Sequence, residues 1–496
     1  MYHPRLDNRM KQEYTEERKR IMKKLLCLLL VAVLVLPIVL IPVQADDPVE
    51  SEFYADVFED DPYCEAVTYL YHQNIMRGTS DPTETQLGLF SPNSSTTRGQ
   101  IITVLWRMAG RPDPDGTVMS FTDCFPNTYY YAAVQWASSS NVQITHGWSQ
   151  TQFLPHSAVS HQEVITFLFR FLLYYDYIDD DDMYYDLFVN SDLVNKESFS
   201  NFSKRAVGWA VYSGILTDNT LVGNSTCIRS SIAQYLYLIY QQYQAKYGLS
   251  VSKNIEMIGV DRCSEAMRRV FSHYGAAGTE NLVNISKAQF SCAMHSAFSN
   301  ARPLDICYLY CASHGSEIGL LLFTNTGSDK YLTPTYLRSL IDEYMGTFVV
   351  FIFGCHSGTF ITDGNTELNG IEVDFFDAEE FVNDLLYPEG ENTMRSGELV
   401  QPTQIKVLCS SEKNEKSYYN ENYNRPTYYW CYGCGYDLMQ DENYTFGTLL
   451  ADDNADGRIT LAELYAYAYP LAIYNSEQHM VCSPQNDVFF IFELCS

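Results

Sequence analysis

Two short runs of this sequence end on residues able to do nucleophile chemistry: Tyr308-Leu-Tyr-Cys-Ala-Ser-His314-Gly315 and Phe348-Val-Val-Phe-Ile-Phe-Gly-Cys355-His-Ser-Gly358. Each is a β-branched or aromatic stretch that stops at a glycine, as expected of buried parallel strands that deliver residues to the carboxyl edge of a sheet. A cysteine nucleophile needs an imidazole to raise its thiolate fraction and later to protonate a leaving amine. Glycines beside it let a substrate carbonyl approach backbone N–H donors. Cys355 and His314 therefore read as a catalytic pair, with Gly315 at the approach. His356 adjoins the nucleophile on the chain and is expected to point away from it. The competing reading makes Cys355 a packing cysteine and His314 a turn residue.

A second constellation lies at Asp452-Asp-Asn454-Ala-Asp456-Gly457-Arg458-Ile459-Thr460-Leu-Ala-Glu463. It has the spacing of an EF-hand loop: side-chain oxygens at the first, third and fifth positions, glycine at the sixth, the Arg458 carbonyl at the seventh, Thr460 at the ninth and Glu463 at the twelfth. A set made only of hard oxygen donors predicts Ca2+. The alternative is an acidic turn that caps the following helix. No second loop of this kind is present to pair with it. Cys431-Tyr-Gly-Cys434 is a lone CxxC, and a structural zinc site needs a second pair. His479, Cys482 and Cys495 do not give that pair a convincing spacing, so a local disulfide or plain packing is expected.

The elements that position these residues alternate in type. A strand is expected over 255–260, helices over 264–273 and 286–298, and the strand ending at His314. A helix opening at Thr333-Pro334 follows, with Pro at the first helical position, then the strand ending at Cys355 and another at Lys406-Val-Leu-Cys. The helix after Glu463 should stop at Pro470, and Val488–Phe492 reads as a last strand. This alternation predicts an α/β domain with a largely parallel sheet. The acidic stretch between Gly358 and Gln404 reads as an exposed loop, either open to nicking or an ordinary insertion.

Residues 53–243 read differently, as a weak threefold repeat over about 53–112, 119–178 and 184–243. Asp-x-Phe recurs at Asp56, Asp123 and Asp186, Ala-Val at Ala66, Ala133 and Ala206, and Phe-x-Pro at Phe90 and Phe153. Each unit closes on a helical apolar stripe, so two short helices joined by a loop are expected per unit. The block Asp179–Asp182 reads as a solvated link, and the polar stretch from Gln241 to Ser252 as a boundary.

The repeat resembles the S-layer homology repeat, three of which form a mainly helical domain that binds secondary cell-wall polymer. The resemblance implies that Arg98 of Thr97-Arg98, together with Arg229, holds anionic sugar groups in a bidentate fork. Ser160-His161 replaces the pair in the second unit. Trp136 and Trp209 read either as sugar-stacking or as helix-packing residues. From residue 255 to the end, Ser-His-Gly after one strand and Cys-His-Ser-Gly after the next resemble the caspase, clostripain and legumain clan of cysteine peptidases. That resemblance implies Cys355 as nucleophile, His314 as general acid/base, and the N–H groups of Gly315 and Cys355 as oxyanion hole. Members selective for Arg or Lys often carry Asp two residues before the nucleophile. Phe353 stands there, so strict basic selectivity is not expected unless Glu412, Glu415 or Asp363 supplies a carboxylate.

The 496-residue chain has a formal charge of -29, which repels phosphate and excludes a nucleic-acid partner. Residues 1–45 read as a targeting segment, with Arg18, Lys19, Arg20, Lys23 and Lys24 ahead of an apolar run to Val43: a cleaved signal peptide or a membrane anchor. Of 14 cysteines, Cys27 lies in that segment, which leaves an odd number for a free functional thiol plus bridges. The combined expectation is an extracellular, bacterial cell-wall protein of several domains, acting on a protein or peptide as a cysteine endopeptidase. The alternative is a wall-anchored binding or structural protein whose peptidase-like domain is inactive.

Overall fold

The computed structural model describes residues 51–496 except 81, 84–85, 115, 117, 255–259, 362–403, 418–423, 440–444, 474–477, 485 and 494–496. The leader, the strand expected from residue 255, most of the acidic loop and Cys495 thus lie outside the described residues. In the first half, helices run over Cys64–His72 (α1), Arg98–Met108 (α2), Tyr131–Ser138 (α3), His161–Tyr174 (α4), Met183–Val189 (α5), Lys204–Ser213 (α6) and Arg229–Tyr243 (α7). The first N–H groups of a helix have no partner within it. Here each unit's second long helix finds those partners in a loop of the next unit. Arg98 and Gly99 donate to Ser157 and Pro155, His161 and Gln162 to Ser225 and Gly223, and Arg229 and Ser230 to Ser94 and Pro92. The pattern closes on itself, so three units form a ring.

The repeated motifs have a physical origin in that ring. Ser91 and Leu154, the middle residues of the two Phe-x-Pro loops, take left-handed φ values of 57° and 60°, which is unfavourable for residues bearing a side chain. Asp56 offsets this by accepting Phe90 N–H and Ser91 N–H, both at 2.7 Å. Asp123 accepts Phe153 N–H at 2.9 Å and Leu154 N–H at 2.8 Å. The third unit departs from the pattern, because Asp186 lies inside the extra helix α5. Thr97 and Ser160 cap α2 and α4 in capping boxes with Gln100 and Glu163.

The second half is built on a six-stranded sheet. Its strands are Lys246–Ser252 (β1), Ala277–Val283 (β2), Ile306–Ala312 (β3), Thr347–Phe353 (β6), Gln404–Cys409 (β7) and Val481–Ser483 (β9), ordered β2-β1-β3-β6-β7-β9. All neighbours are parallel except β7 and β9. The short strands β4 (Gly315–Ser316) and β5 (Gly319–Leu320) form a hairpin beyond β3, while β8 (Arg458–Thr460) pairs with β10 (Phe490–Glu493). Helices Val260–His273 (α8), Arg425–Gly433 (α11) and Leu461–Ile473 (α12) contribute to one buried cluster, and Lys287–Phe298 (α9) with Pro334–Ile341 (α10) to the other. Strand residues alternate between the two: Val349, Phe351 and Phe353 join the first, Phe348, Val350 and Ile352 the second.

Two expectations are corrected here and one is narrowed. The boundary expected at Gln241–Ser252 lies early in that stretch, between the end of α7 at Tyr243 and Lys246, because β1 pairs along its whole length with β3. Helix α12 continues through Pro470 to Ile473. All twelve described cysteines are free thiols; Cys431 and Cys434 are buried, with the Cys431 sulfur 3.5 Å from that of Met267. The two halves also share one compact unit, Val49–Ser496. Leu304 and Phe490 from the second half are packed into the core of the first.

Candidate active site

β3 and β6 run side by side with Ala312 opposite Phe353, so the residues that follow each strand leave the sheet together. Ser313 N–H donates to the Phe353 carbonyl at 3.1 Å, which extends the ladder by one step. His314 and Cys355 then emerge at the carboxyl edge, both half-buried. Gly315 explains how they come close. A Cβ at that position would lie 1.7 Å from the Cys355 carbonyl oxygen, so only glycine allows the loop after His314 to rest on the backbone of Cys355. The pair expected from sequence is thereby brought to one place.

A third loop, after β7, holds the turn at Cys355. His356 takes φ 57°; its N–H donates to the Glu415 carbonyl at 2.7 Å, and its Nδ1 lies 2.9 Å from the Lys413 carbonyl. Its imidazole is thus committed to that loop. Gly358 N–H donates to Ser411 at 2.8 Å. The hydroxyls of Ser357, Ser410 and Ser411 form a buried network around Gly354, and the Ser417 carbonyl is 3.9 Å from the Cys355 sulfur. Phe353 is fully buried in the cluster shared with α8, α11 and α12.

Residues 478 and 479, which sequence reasoning did not place at the site, clamp this loop from outside. Gln478 donates to the Ser410 carbonyl and, at 3.0 Å, to the Ser417 hydroxyl. The His479 ring is 2.6 Å from a Glu415 carboxylate oxygen, and the hydrogen bond to Glu415 pushes its pKa up. Glu412, Glu415 and His479 gather their donor atoms within 4.8 Å of one another. The small residues Cys409-Ser-Ser-Glu were a usable signal for the loop; nothing in the local sequence marked Gln478.

The acidic loop at 452–463 adopts the turn its spacing implies. Asp452 accepts from Asp456 N–H at 3.1 Å and from Gly457 N–H at 2.9 Å, and Gly457 takes φ 81°. Thr460 and Glu463 exchange bonds between side chain and backbone across the start of α12, so the helix-capping role is present. The strand at Ile459 does have a partner, β10, in place of a second loop. The Arg458 side chain turns away to Glu493 at 2.8 Å and Glu65 at 3.2 Å, keeping its charge out of the loop. The donors are hard oxygens throughout, a set that fits calcium.

The two arginines expected to grip polymer are inside the protein. Arg98 is 3% exposed and Arg229 0%. Arg98 Nε donates to the Phe153 carbonyl at 2.8 Å and Nη1 pairs with Glu163; Arg229 Nε donates to the Phe90 carbonyl at 2.7 Å. Each therefore ties one unit's helix to another unit's Phe-x-Pro loop. Trp136 and Trp209 are also buried, which makes them packing residues. A cavity of about 350 Å³ lies between α1 and α7, with His161 in its wall.

Residues 53–102 match the family model of the S-layer homology domain. The other two units of the ring share its bond pattern. A stretch of 125 residues is 29% identical to a protein of Thermoanaerobacter kivui described as a cell surface protein, covering 25% of this chain and 16% of that one. Among solved structures, caspase-1 from Spodoptera frugiperda is similar with a TM-score of 0.31 and 12% identity over 48% of this chain and 85% of that one. The structure called pro-sf-caspase-1 gives 0.29 and 11% over 51% and 90%. A protein from Geobacter sulfurreducens gives 0.29 and 14% over 48% and 91%. At those scores, the chemistry has to be read from this chain's own strand ends.

Proposed function

We propose that this protein is a cell-wall-anchored cysteine endopeptidase. It belongs at the cell surface, as its S-layer homology domain indicates, and the bond pattern of the ring supports reading residues 119–178 and 184–243 as further units of that kind. Secondary cell-wall polymer is the proposed partner of the ring. The observation that carries the enzymatic reading is the register of β3 against β6, with Gly315 seated on Cys355.

In the proposed reaction, the Cys355 sulfur attacks the carbonyl carbon of a peptide bond. The oxyanion forms beside the N–H groups of Gly315 and Cys355. His314 gives its proton to the departing amine nitrogen as the C–N bond breaks, leaving a thioester. A water, losing its proton to His314, then attacks the thioester carbonyl; the acid is released and the thiol restored. With Phe353 buried and Glu415 joined to His479, strict selectivity for Arg or Lys is not expected unless exposed Glu412 supplies a carboxylate; Asp363 lies outside the described residues. Asp452, Asn454, Asp456, Thr460 and Glu463, with the Arg458 carbonyl, would hold calcium, which supplies a structural cross-link near the start of α12 and no step of the chemistry.

The test is cleavage of a peptide library by the full chain beside Cys355→Ala and His314→Ala. Each variant should lose at least about three orders of magnitude in turnover, because members of one catalytic unit fail together. Cleavage by Cys355→Ala at the parental rate ends the mechanism.

A further inference from the structure

The peptide that joins Gly354 to Cys355 is held at its carbonyl end. That carbonyl receives the Ser411 hydroxyl at 3.0 Å, the Ser410 hydroxyl at 3.2 Å and the Ser357 N–H at 3.3 Å. Three donors exceed the two lone pairs of a carbonyl oxygen and are more than burial alone requires. A trans peptide is planar, with its N–H on the side opposite its C=O, so fixing the Gly354 oxygen also fixes the direction of the Cys355 N–H. That N–H has no acceptor among the described residues. We propose that Ser410 and Ser411 are positioning residues that aim the Cys355 N–H at the oxyanion of the reaction, and that Gln478 sets the direction of the hydroxyl chain behind them. The inference rests on the reading of Cys355 as a nucleophile and names what orients one of the two donors proposed beside it.

The position needs such a hold. A Cβ on Gly354 would lie 2.5 Å from Leu320 Cδ2 and 2.7 Å from the Ser313 carbonyl oxygen, so the close approach of the segment around His314 restricts this residue to glycine. Glycine also leaves the adjoining peptide freest to rotate. Rotation would turn the Cys355 N–H away from a carbonyl under attack by the Cys355 sulfur. The serine hydroxyls oppose it, and donors on the carbonyl polarise the peptide and strengthen its N–H.

Proton counting gives the chain one direction. A hydroxyl has one proton and two acceptor positions. The Gln478 amide donates to the Ser410 carbonyl and, at 3.0 Å, to Ser417 Oγ. Ser417 therefore turns its own proton to Ser410 Oγ at 2.6 Å, which also accepts the Gly354 N–H at 3.1 Å. Ser410 Oγ is then full as an acceptor, and its proton is left for the Gly354 carbonyl. Ser411 Oγ accepts the Ser357 N–H at 3.2 Å and gives its proton to the same carbonyl. The Ser357 hydroxyl, 3.2 Å from both serine hydroxyls, accepts the Ser411 N–H at 3.0 Å and donates to the Ser411 carbonyl at 3.3 Å. Ser410, Ser411 and Gln478 are fully buried, so bulk water does not compete for these bonds.

The experiment separates the donor from the thiol. Alkylation of Cys355 by iodoacetamide displaces iodide and forms no oxyanion, whereas peptide cleavage and capture of a peptide aldehyde both form one. Full-chain Ser411→Ala, and Ser410→Ala combined with Ser411→Ala, are compared with the parent on the best-cleaved peptide of the library and on the corresponding aldehyde. Ser411→Ala should lower kcat roughly tenfold, the loss of one hydrogen bond, and the double variant roughly a hundredfold, which approaches removal of an oxyanion donor. KM and the rate of iodoacetamide labelling at Cys355 should stay within about twofold, because the contact is made only in the transition state. Aldehyde affinity should fall in step with kcat. Gln478→Met should behave as Ser411→Ala does, and Ser411→Thr, which keeps the hydroxyl, should cleave faster than its isostere Ser411→Val. Parental kcat in the double variant overturns the proposal, and so does a loss of labelling rate that matches the loss of kcat, since that is the mark of a collapsed turn. Both results leave the peptidase reading standing. A parent that cleaves no peptide overturns that reading and the proposal with it.

Discussion

Replacing Arg98 by alanine should destabilise the protein and leave its ligand chemistry otherwise untouched. The guanidinium is buried, sits 4.9 Å above the Phe153 ring and 5.5 Å from that of Phe167, donates to the Phe153 carbonyl and pairs with Glu163. Truncation strands Glu163 and one carbonyl in the interior; removing one partner of a buried pair costs about 3–5 kcal/mol. Ser160, which still donates to Glu163 from its N–H and hydroxyl, places the loss toward the lower end. Denaturant unfolding of the full chain reads the difference directly, and the melting temperature should fall by several degrees, since about 2–4 °C per kcal/mol applies to somewhat shorter domains. The double variant Arg98→Met with Glu163→Met should recover much of the loss, because apolar replacement of both partners is often neutral. If Arg98→Ala melts with the parent and instead releases cell walls, the guanidinium is a ligand group and the reasoning from burial is wrong.

Other expectations concern pH, calcium and thiols. His72 stacks on Phe490, its Nδ1 lies 2.7 Å from the Val488 carbonyl, and burial lowers its pKa to about 4 from 6.5. The neutral ring is the folded form, so this contribution is complete above pH 6.5 and falls away toward pH 4, by up to about 3 kcal/mol. The unfolding free energy of the parent minus that of His72→Gln should shrink over that window, and a flat difference refutes the assignment. Asp305, raised to about 6 by burial, acts in the opposite sense between its unfolded value of 3.8 and 6 and offsets part of the effect in the parent; the difference between variants removes it. Millimolar calcium should raise the melting temperature by mass action, and Glu463→Gln should abolish the shift; an unmoved parent excludes the loop as a site. Iodoacetamide should modify exposed Cys292 and half-buried Cys355 before buried Cys124 and Cys263, whose pKa burial raises to about 12; mass spectrometry showing the buried pair labelled first would contradict this.

The strands leading to His314 and Cys355 were legible because they are continuous apolar runs, as a strand buried on both faces reads. β1 was not, for the opposite reason. Its Ser250 and Ser252 look like linker residues, yet both are fully buried, and Ser250 bonds to Ser264 on α8 at 2.7 and 2.8 Å. Gly248 in the same strand lies where a side chain would strike Thr279 and Phe271, so close packing demanded the residue that also reads as a breaker. β2 is an edge strand with little apolar content. The burial of the arginines was not legible because a Thr-Arg pair gives residue types and not direction. Once Thr97 caps the helix, Arg98 lies against the neighbouring unit, and only the ring closure shows that its fork is spent on a carbonyl and a carboxylate of the protein itself.

The same closure decides how the two halves relate. Gln244 donates to the Leu304 carbonyl at 2.9 Å, and Leu304 N–H donates to the Tyr177 hydroxyl at 2.8 Å. Arg302 stacks 3.9 Å from the Tyr177 ring. On the other side, Asp487 receives Lys406 from the central sheet and lies 3.4 Å from Asn74 of the first unit. Such contacts exclude a flexible tether between ring and sheet in the described residues. Arg458 has a place in both: its carbonyl stands at the seventh position of the acidic loop, while its guanidinium spans Glu65 on α1 and Glu493 on β10 and covers the rings of Tyr69 and Phe490. Under the calcium reading, an ion that fixes the carbonyl also restricts the side chain across the junction. Affinity for the ion and stability of the junction are then linked quantities, each strengthening the other by the same free energy. Under the proposed function, Cys355 and His314 would be held at a fixed attitude to a polymer bound by the ring.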